Sequence, residues 1–206
     1  MATFHANAKP IQLPQPMRAV DTARIEQAVR MMLEAIGEEP DREGLADTPA
    51  RVARMYQEMF SGLHRDPKEE LSARFHVEHK EVVIVRDIPF YSMCEHHLLP
   101  FFGVAHVAYL PHHHVVTGLS KLARLVDTVA KKPQVQERMT NEIADALAEA
   151  LEAEGVLVLV DAEHLCMSMR GIRKPGSRTT TVATRGRYAE DPRERDEVLR
   201  LIRLAD

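Results

Sequence analysis

The chain has two cysteines among its 206 residues, Cys94 and Cys166, and each lies close to histidine. One cluster reads Cys94-Glu95-His96-His97, the other His164-Leu165-Cys166. Thiolate and imidazole are the donors zinc prefers, and three protein ligands plus water make a catalytic site. Cys94 and His97 stand three apart, so a turn can aim both at one ion, with Cys166 arriving from a distant segment. Water on such an ion ionises near pH ~7, and His96 and His164 are then left as acid/base groups beside it. The competing reading is two ordinary buried thiols, since free cysteine is among the residues most often found inside. A disulfide suits a reducing compartment poorly.

A second set of residues suits an anionic ligand. Gly118-Leu119-Ser120-Lys121-Leu122-Ala123-Arg124 opens a helix, whose first N–H groups and dipole favour phosphate. Lys121 and Arg124 share a helix face. Arg170, in Met169-Arg170-Gly171-Ile172, has the fork geometry for phosphate oxygens. Each of these cations, taken alone, is also what a solvated surface carries. Glu137 opens a long helix after Pro133, where it either complements the dipole or offers its carboxylate to the N–H edge of a purine. His112-His113-His114 reads as a polar turn, and His76, His79 and His106 as structural.

The elements that must position these groups can be read from periodicity. Residues 1–19, with three prolines, form a flexible arm. Ile25, Val29, Met32, Leu33 and Ile36 mark one helix; Thr48 as cap and Pro49 start a second, so residues 20–75 are an N-terminal helical region. The rest, 76–206, alternates differently. Strands are expected around Val82–Val85 and at 103–110, helices around Leu119–Val129 and Val135–Leu151, and further strands at 156–161, 164–170 and 179–186. A short amphipathic helix surrounds Val198, Leu199, Ile202 and Leu204. Strand pairs on either side of two helices predict an α+β fold, an antiparallel four-stranded sheet with both helices on one face.

Composition narrows the function classes. Lys plus Arg is 27 against 31 for Asp plus Glu, a net charge of −4, which argues against a nucleic-acid binder. One local basic pocket for a phosphorylated small molecule remains open. No stretch approaches the ~20 apolar residues of a membrane span, and no signal pattern opens the chain, so a cytoplasmic protein with no membrane partner is expected.

Assembled in order, these motifs resemble the GTP cyclohydrolase I family. The likeness runs from Asp47-Thr48-Pro49 to Thr184-Arg185-Gly186. It takes in Ser61-Gly62-Leu63, Cys94-Glu95-His96-His97, Gly118-Leu119-Ser120-Lys121, Gln134-Val135-Gln136-Glu137-Arg138 and Arg170-Gly171-Ile172. Arg54 is a departure, standing where many relatives carry lysine. The resemblance implies a tunnelling fold over 76–206, in which subunit sheets join into an oligomeric β-barrel. It further implies a homodecamer of two pentamers with active sites between subunits.

The resemblance also implies Zn2+ held by Cys94, His97 and Cys166, and GTP as substrate. The reaction is then hydrolysis of a cyclic amidine C–N bond, with C8 lost as formate. The ribose rearranges and recloses to give 7,8-dihydroneopterin triphosphate, the first step of pterin and folate (tetrahydrofolate, one-carbon) biosynthesis. In this scheme His164 or His96 protonates N7, and Ser120 handles protons at the ribose. Glu137, assisted by Gln136, holds the guanine N1 and N2 hydrogens, and Lys121, Arg124 and Arg170 neutralise the triphosphate. Two other readings stay open: a different pterin or deazapurine enzyme on the same fold, and a non-catalytic oligomer stabilised by a four-ligand zinc.

Overall fold

In a computed structural model, residues 20–203 are described; the arm assigned to 1–19, and Leu204 of the tail, lie outside them. The chain runs α1 (Thr22–Ala35), α2 (Thr48–Met59), a 3-10 turn (Pro67–Leu71), β1 (Arg74–His76), β2 (Val83–Cys94), β3 (Leu99–Leu110) and β4 (Val115–Thr117). It continues with α3 (Leu119–Ala130), β5 (Pro133–Gln134), α4 (Gln136–Leu151), β6 (Gly155–His164), α5 (Leu165–Ser168), β7 (Arg178–Gly186), α6 (Arg187–Glu190) and α7 (Pro192–Arg203). The main sheet has the order β5-β2-β3-β6-β7. All its neighbours are antiparallel except the two-residue β5, which lies parallel to the end of β2.

Side chains alternate between the two faces of a strand, and here that parity builds the core. On β6, Val156, Val158, Val160 and Ala162 face α3 and α4, while Leu157 and Leu159 face the other way. On β2, a bulge between Val85 and Ile88 resets the parity, after which Ile88, Phe90 and Cys94 join the helix-side core. At the bulge Asp87 adopts φ 57° and its N–H donates to His106 Nδ1 at 3.3 Å, giving His106 a structural role. Leu122, Leu125, Val126 and Val129 of α3, with Met139, Ile143 and Leu147 of α4, close over this face. Each such side chain contributes roughly 1.5–3 kcal/mol by leaving water. The α+β sheet with both helices on one face is therefore as expected, but four antiparallel strands were predicted and a fifth, the two-residue β5, joins the edge in parallel.

Three further details differ from the sequence reading. A strand was expected over 164–170, but His164 ends β6 and the next four residues form α5, where the Met169 N–H closes a turn on the Leu165 carbonyl at 3.0 Å. The run Leu-Cys-Met-Ser-Met is apolar without a period, so spacing alone does not separate strand from helix. Thr48 is helical, and Asp47 takes the cap position. The tail helix α7 turns out to cover part of the sheet's second face, with Val198 and Ile202 packing on Leu110, Leu157 and Leu159. The rest of that face is open, and Tyr91, stacked on Phe102 at 5.7 Å, is 64% exposed. Helix α1 buries no residue; Met32 and Ile36 of its apolar stripe lie in solvent.

Gly103 of β3 faces Asp161 of β6 so closely that a β-carbon there would overlap the Asp161 carbonyl oxygen. Gly103→Ala is expected to cost about 2–3 kcal/mol, read as a lower midpoint in urea unfolding. An unchanged midpoint would show that the β3–β6 pairing tolerates displacement at this point.

Candidate metal centre

Cys94 is the last residue of β2, and the four residues that follow form the turn into β3. Within it the His97 and Leu98 N–H groups both donate to the Cys94 carbonyl, at 3.3 and 2.8 Å, and Leu98 takes φ 51°. That tight turn folds His97 back over Cys94. Cys166 comes from α5, two residues after His164 ends β6. Register brings the two segments together, because Phe101 near the start of β3 pairs with His164.

The donor atoms of Cys94, His97 and Cys166 all lie within 4.8 Å of one another. Tetrahedral zinc with bonds of about 2.3 Å holds two thiolates about 3.8 Å apart; Cys94 Sγ and Cys166 Sγ are 3.9 Å apart. Burial and the neighbouring Cys94 push the Cys166 thiol up, and the Arg170 charge only partly opposes this. Two such thiols ionise together when a cation lies between them. The donor set thus fits a borderline-soft divalent ion.

The groups around these three were mostly those named from sequence. His96 Nδ1 lies 3.8 Å from Cys94 Sγ, and Arg170 Nη1 lies 3.3 Å from His97 Nε2. His164 stacks flat on Phe101, centroids 4.6 Å apart. Burial lowers its pKa, while the Glu137 carboxylate, close enough to act on it, pulls the other way. Glu137 stands exposed in the first turn of α4, and among the described residues no hydrogen bond or ion pair takes its carboxylate. Gln136 has a different occupation from the one expected. It is 1% exposed, its Oε1 meets His164 Nε2 at 2.8 Å, and its amino group points into the sheet.

Ser120, Lys121 and Arg124 sit on the first turns of α3, and no hydrogen bond among the described residues ties them to the metal ligands. Arg124 instead lines a groove of ≈ 280 Å³ with Ser61, Gly62, Arg65 and Glu70. Sequence reasoning missed a brace between the metal turn and α4. Arg138 pairs with Glu95, donates through Nε to Gln134 Oε1 at 2.9 Å and through Nη2 to the Pro133 carbonyl at 2.9 Å. The Glu95 N–H reaches the Gln134 carbonyl at 3.0 Å. The signal was present as a Gln-x-x-x-Arg spacing from Gln134 of β5 to Arg138 on the first turn of α4, but its partner Glu95 is found only through the fold.

The geometry separates holders from neighbours. Cys94→Ala or Cys166→Ala should drop bound zinc from near one per chain to below about a tenth of that, measured by atomic emission after dialysis. His96→Ala should keep its zinc. Equal loss in all three variants would mean that His96 belongs among the ligands.

The sequence model of a family described as GTP cyclohydrolase I matches residues 25–203. The GTP cyclohydrolase 1 of Geobacillus kaustophilus is 61% identical over 187 residues, which cover 91% of this chain and 100% of that protein. That of Streptococcus thermophilus is 62% identical over 180 residues, 87% of this chain and 96% of its own. A solved structure of the archaeosine synthase QueF-Like in its apo form aligns with 53% of this chain and 97% of its own, with TM-score 0.43 and 17% identity.

Proposed function

The chain belongs to the GTP cyclohydrolase I family and is an enzyme of that kind; from that premise we propose that it converts GTP and water to formate and 7,8-dihydroneopterin triphosphate with the help of zinc. The observation that carries this reading is the Cys94–His97–Cys166 group with Arg170, His164 and Glu137 around it. Zinc held by those three residues would supply Lewis-acid activation of water at neutral pH.

This chain's own residues do the rest. Glu137, exposed and unpaired among the described residues on the first turn of α4, accepts the guanine N1 and N2 hydrogens. His164, stacked and half-buried, and His96 beside Cys94 carry protons to and from the ring nitrogens as the C8–N bonds break. Ser120 serves the ribose. Lys121, Arg124 and Arg170 bind the triphosphate, a charge that a protein with net charge −4 must meet locally.

Ser120, Lys121 and Arg124 stand on a different element from the metal ligands, which supports a site completed between subunits. The open apolar half of the sheet and the exposed Met31, Met32 and Ile36 at the end of α1 support assembly in the same way: sheets closing into a barrel of the tunnelling type, two pentamers forming a homodecamer. No helix among the described residues is long and apolar enough to cross a membrane, which accords with work in the cytoplasm at the head of pterin and folate synthesis.

Mass spectrometry of a GTP incubation with the zinc-loaded protein should show formate and dihydroneopterin triphosphate together. A ring-opened product alone would remove Ser120 from the scheme, and no turnover with zinc in place would overturn the reaction. Glu137→Gln should weaken selection of GTP over other purine triphosphates by at least about tenfold in kcat/KM. Unchanged discrimination would return Glu137 to a role at the helix dipole.

A further inference from the structure

Gln136 is the most committed side chain near the metal ligands, and the polarity of every bond it makes can be worked out. Its Nε2 lies 3.0 Å from the Val160 carbonyl, 2.8 Å from the Thr179 carbonyl and 3.1 Å from Thr181 Oγ1. Backbone carbonyls only accept, so the amino end of the amide must face them and the oxygen must face His164. The hydroxyls close the circuit. Thr140 Oγ1 donates to the Gln136 carbonyl at 2.7 Å, so at 2.6 Å from Thr181 Oγ1 it must accept. Thr181 therefore donates to Thr140 and is free to accept from Gln136. Turning the Gln136 amide over would set its oxygen against the Val160 and Thr179 carbonyls, acceptor against acceptor.

The consequence falls on His164. An amide oxygen only accepts, so the His164 Nε2 atom 2.8 Å away must carry the hydrogen. In the neutral ring the other nitrogen, Nδ1, is then the bare one. Among the described residues no hydrogen bond takes Nδ1. The ring plane is held by Phe101, stacked at 1°. One contact thus sets the tautomer and the other sets the plane.

We propose that Gln136 is a positioning residue, which fixes His164 as its Nε2–H tautomer and leaves Nδ1 as the only nitrogen that can meet the substrate. This rests on the reading above, in which His164 exchanges a proton with the purine. In that exchange the Nδ1 lone pair takes and returns one proton; the Nε2 hydrogen and the Gln136 amide gain and lose nothing. Gln136 does not touch the base, and its effect is transmitted through the imidazole.

The test uses zinc-loaded protein with 15N-labelled histidine, the His164 signals being assigned by their absence in His164→Gln. Solid-state NMR should show a protonated Nε2 and a bare Nδ1 on His164. In Gln136→Met the same residue should show both tautomers, with kcat lowered about 10–100-fold and KM for GTP within about twofold. A protonated Nδ1 in the unaltered protein would overturn the proposal, whether or not the variant folds. So would a variant that keeps the single tautomer and its full kcat. Failure of the reaction itself looks different: the unaltered protein would release no formate from GTP while its His164 still carried the Nε2 hydrogen.

Discussion

Phe101 and His164 face each other across β3 and β6, and the rest of the centre depends on that register. Shifting one strand by a residue would turn every side chain to the opposite face. Val156, Val158, Val160 and Ala162 would leave the helix-covered core, and His164 would leave with them. The hydrophobic requirement on four aliphatic side chains therefore places His164 beside the Cys94–His97–Cys166 group. The same holds for β2, where the bulge at Asp87 brings Ile88, Phe90 and finally Cys94 to the helix side. Packing sets the parity, and the reactive groups at the strand ends inherit it.

Electrostatics then acts on what packing has delivered. Burial and Cys94 Sγ, 3.9 Å away, push the Cys166 thiol up. Arg170 beside His97 and Cys166 supplies a partial offset. Glu137 pulls His164 toward the protonated form while burial pulls it away. These groups hold one another in balance only because they are close, and closeness comes from two side chains that join three segments. The turn after β2, the first residues of α4 and the end of β6 are joined by Arg138 on one side and by Gln136 on the other.

Much of this was legible in the residues. The ligand triplet, the two helices on one face and the four strands follow from spacing and period, because those signals are local. What could not be read depends on which strand residue faces which. The resemblance implies that Gln136 assists Glu137, yet successive residues of a helix point in different directions. One goes to solvent, the other into the sheet. Arg138 carries no signal of its own in the sequence, because its partner Glu95 lies 43 residues away and only the fold brings the two together. The strand expected at 164–170 failed for a related reason: an apolar run without a period says that a segment is buried and leaves its geometry open.

Burial is graded across the centre, and the gradient has a direction. Cys94 is 5% exposed, Cys166 is intermediate, and His97, His96, Arg170 and Glu137 are open to solvent. The thiols form the back wall and the polar groups the mouth, so a charged ligand has one side from which to approach. Under the proposed function a substrate would reach Arg170 and Glu137 first, with its anionic tail toward the cation and the donor edge of its base toward the carboxylate. His164, stacked on Phe101 further in, meets only what has already been oriented. Placing the titratable ring behind the recognition groups favours proton transfer to a bound substrate over exchange with bulk water.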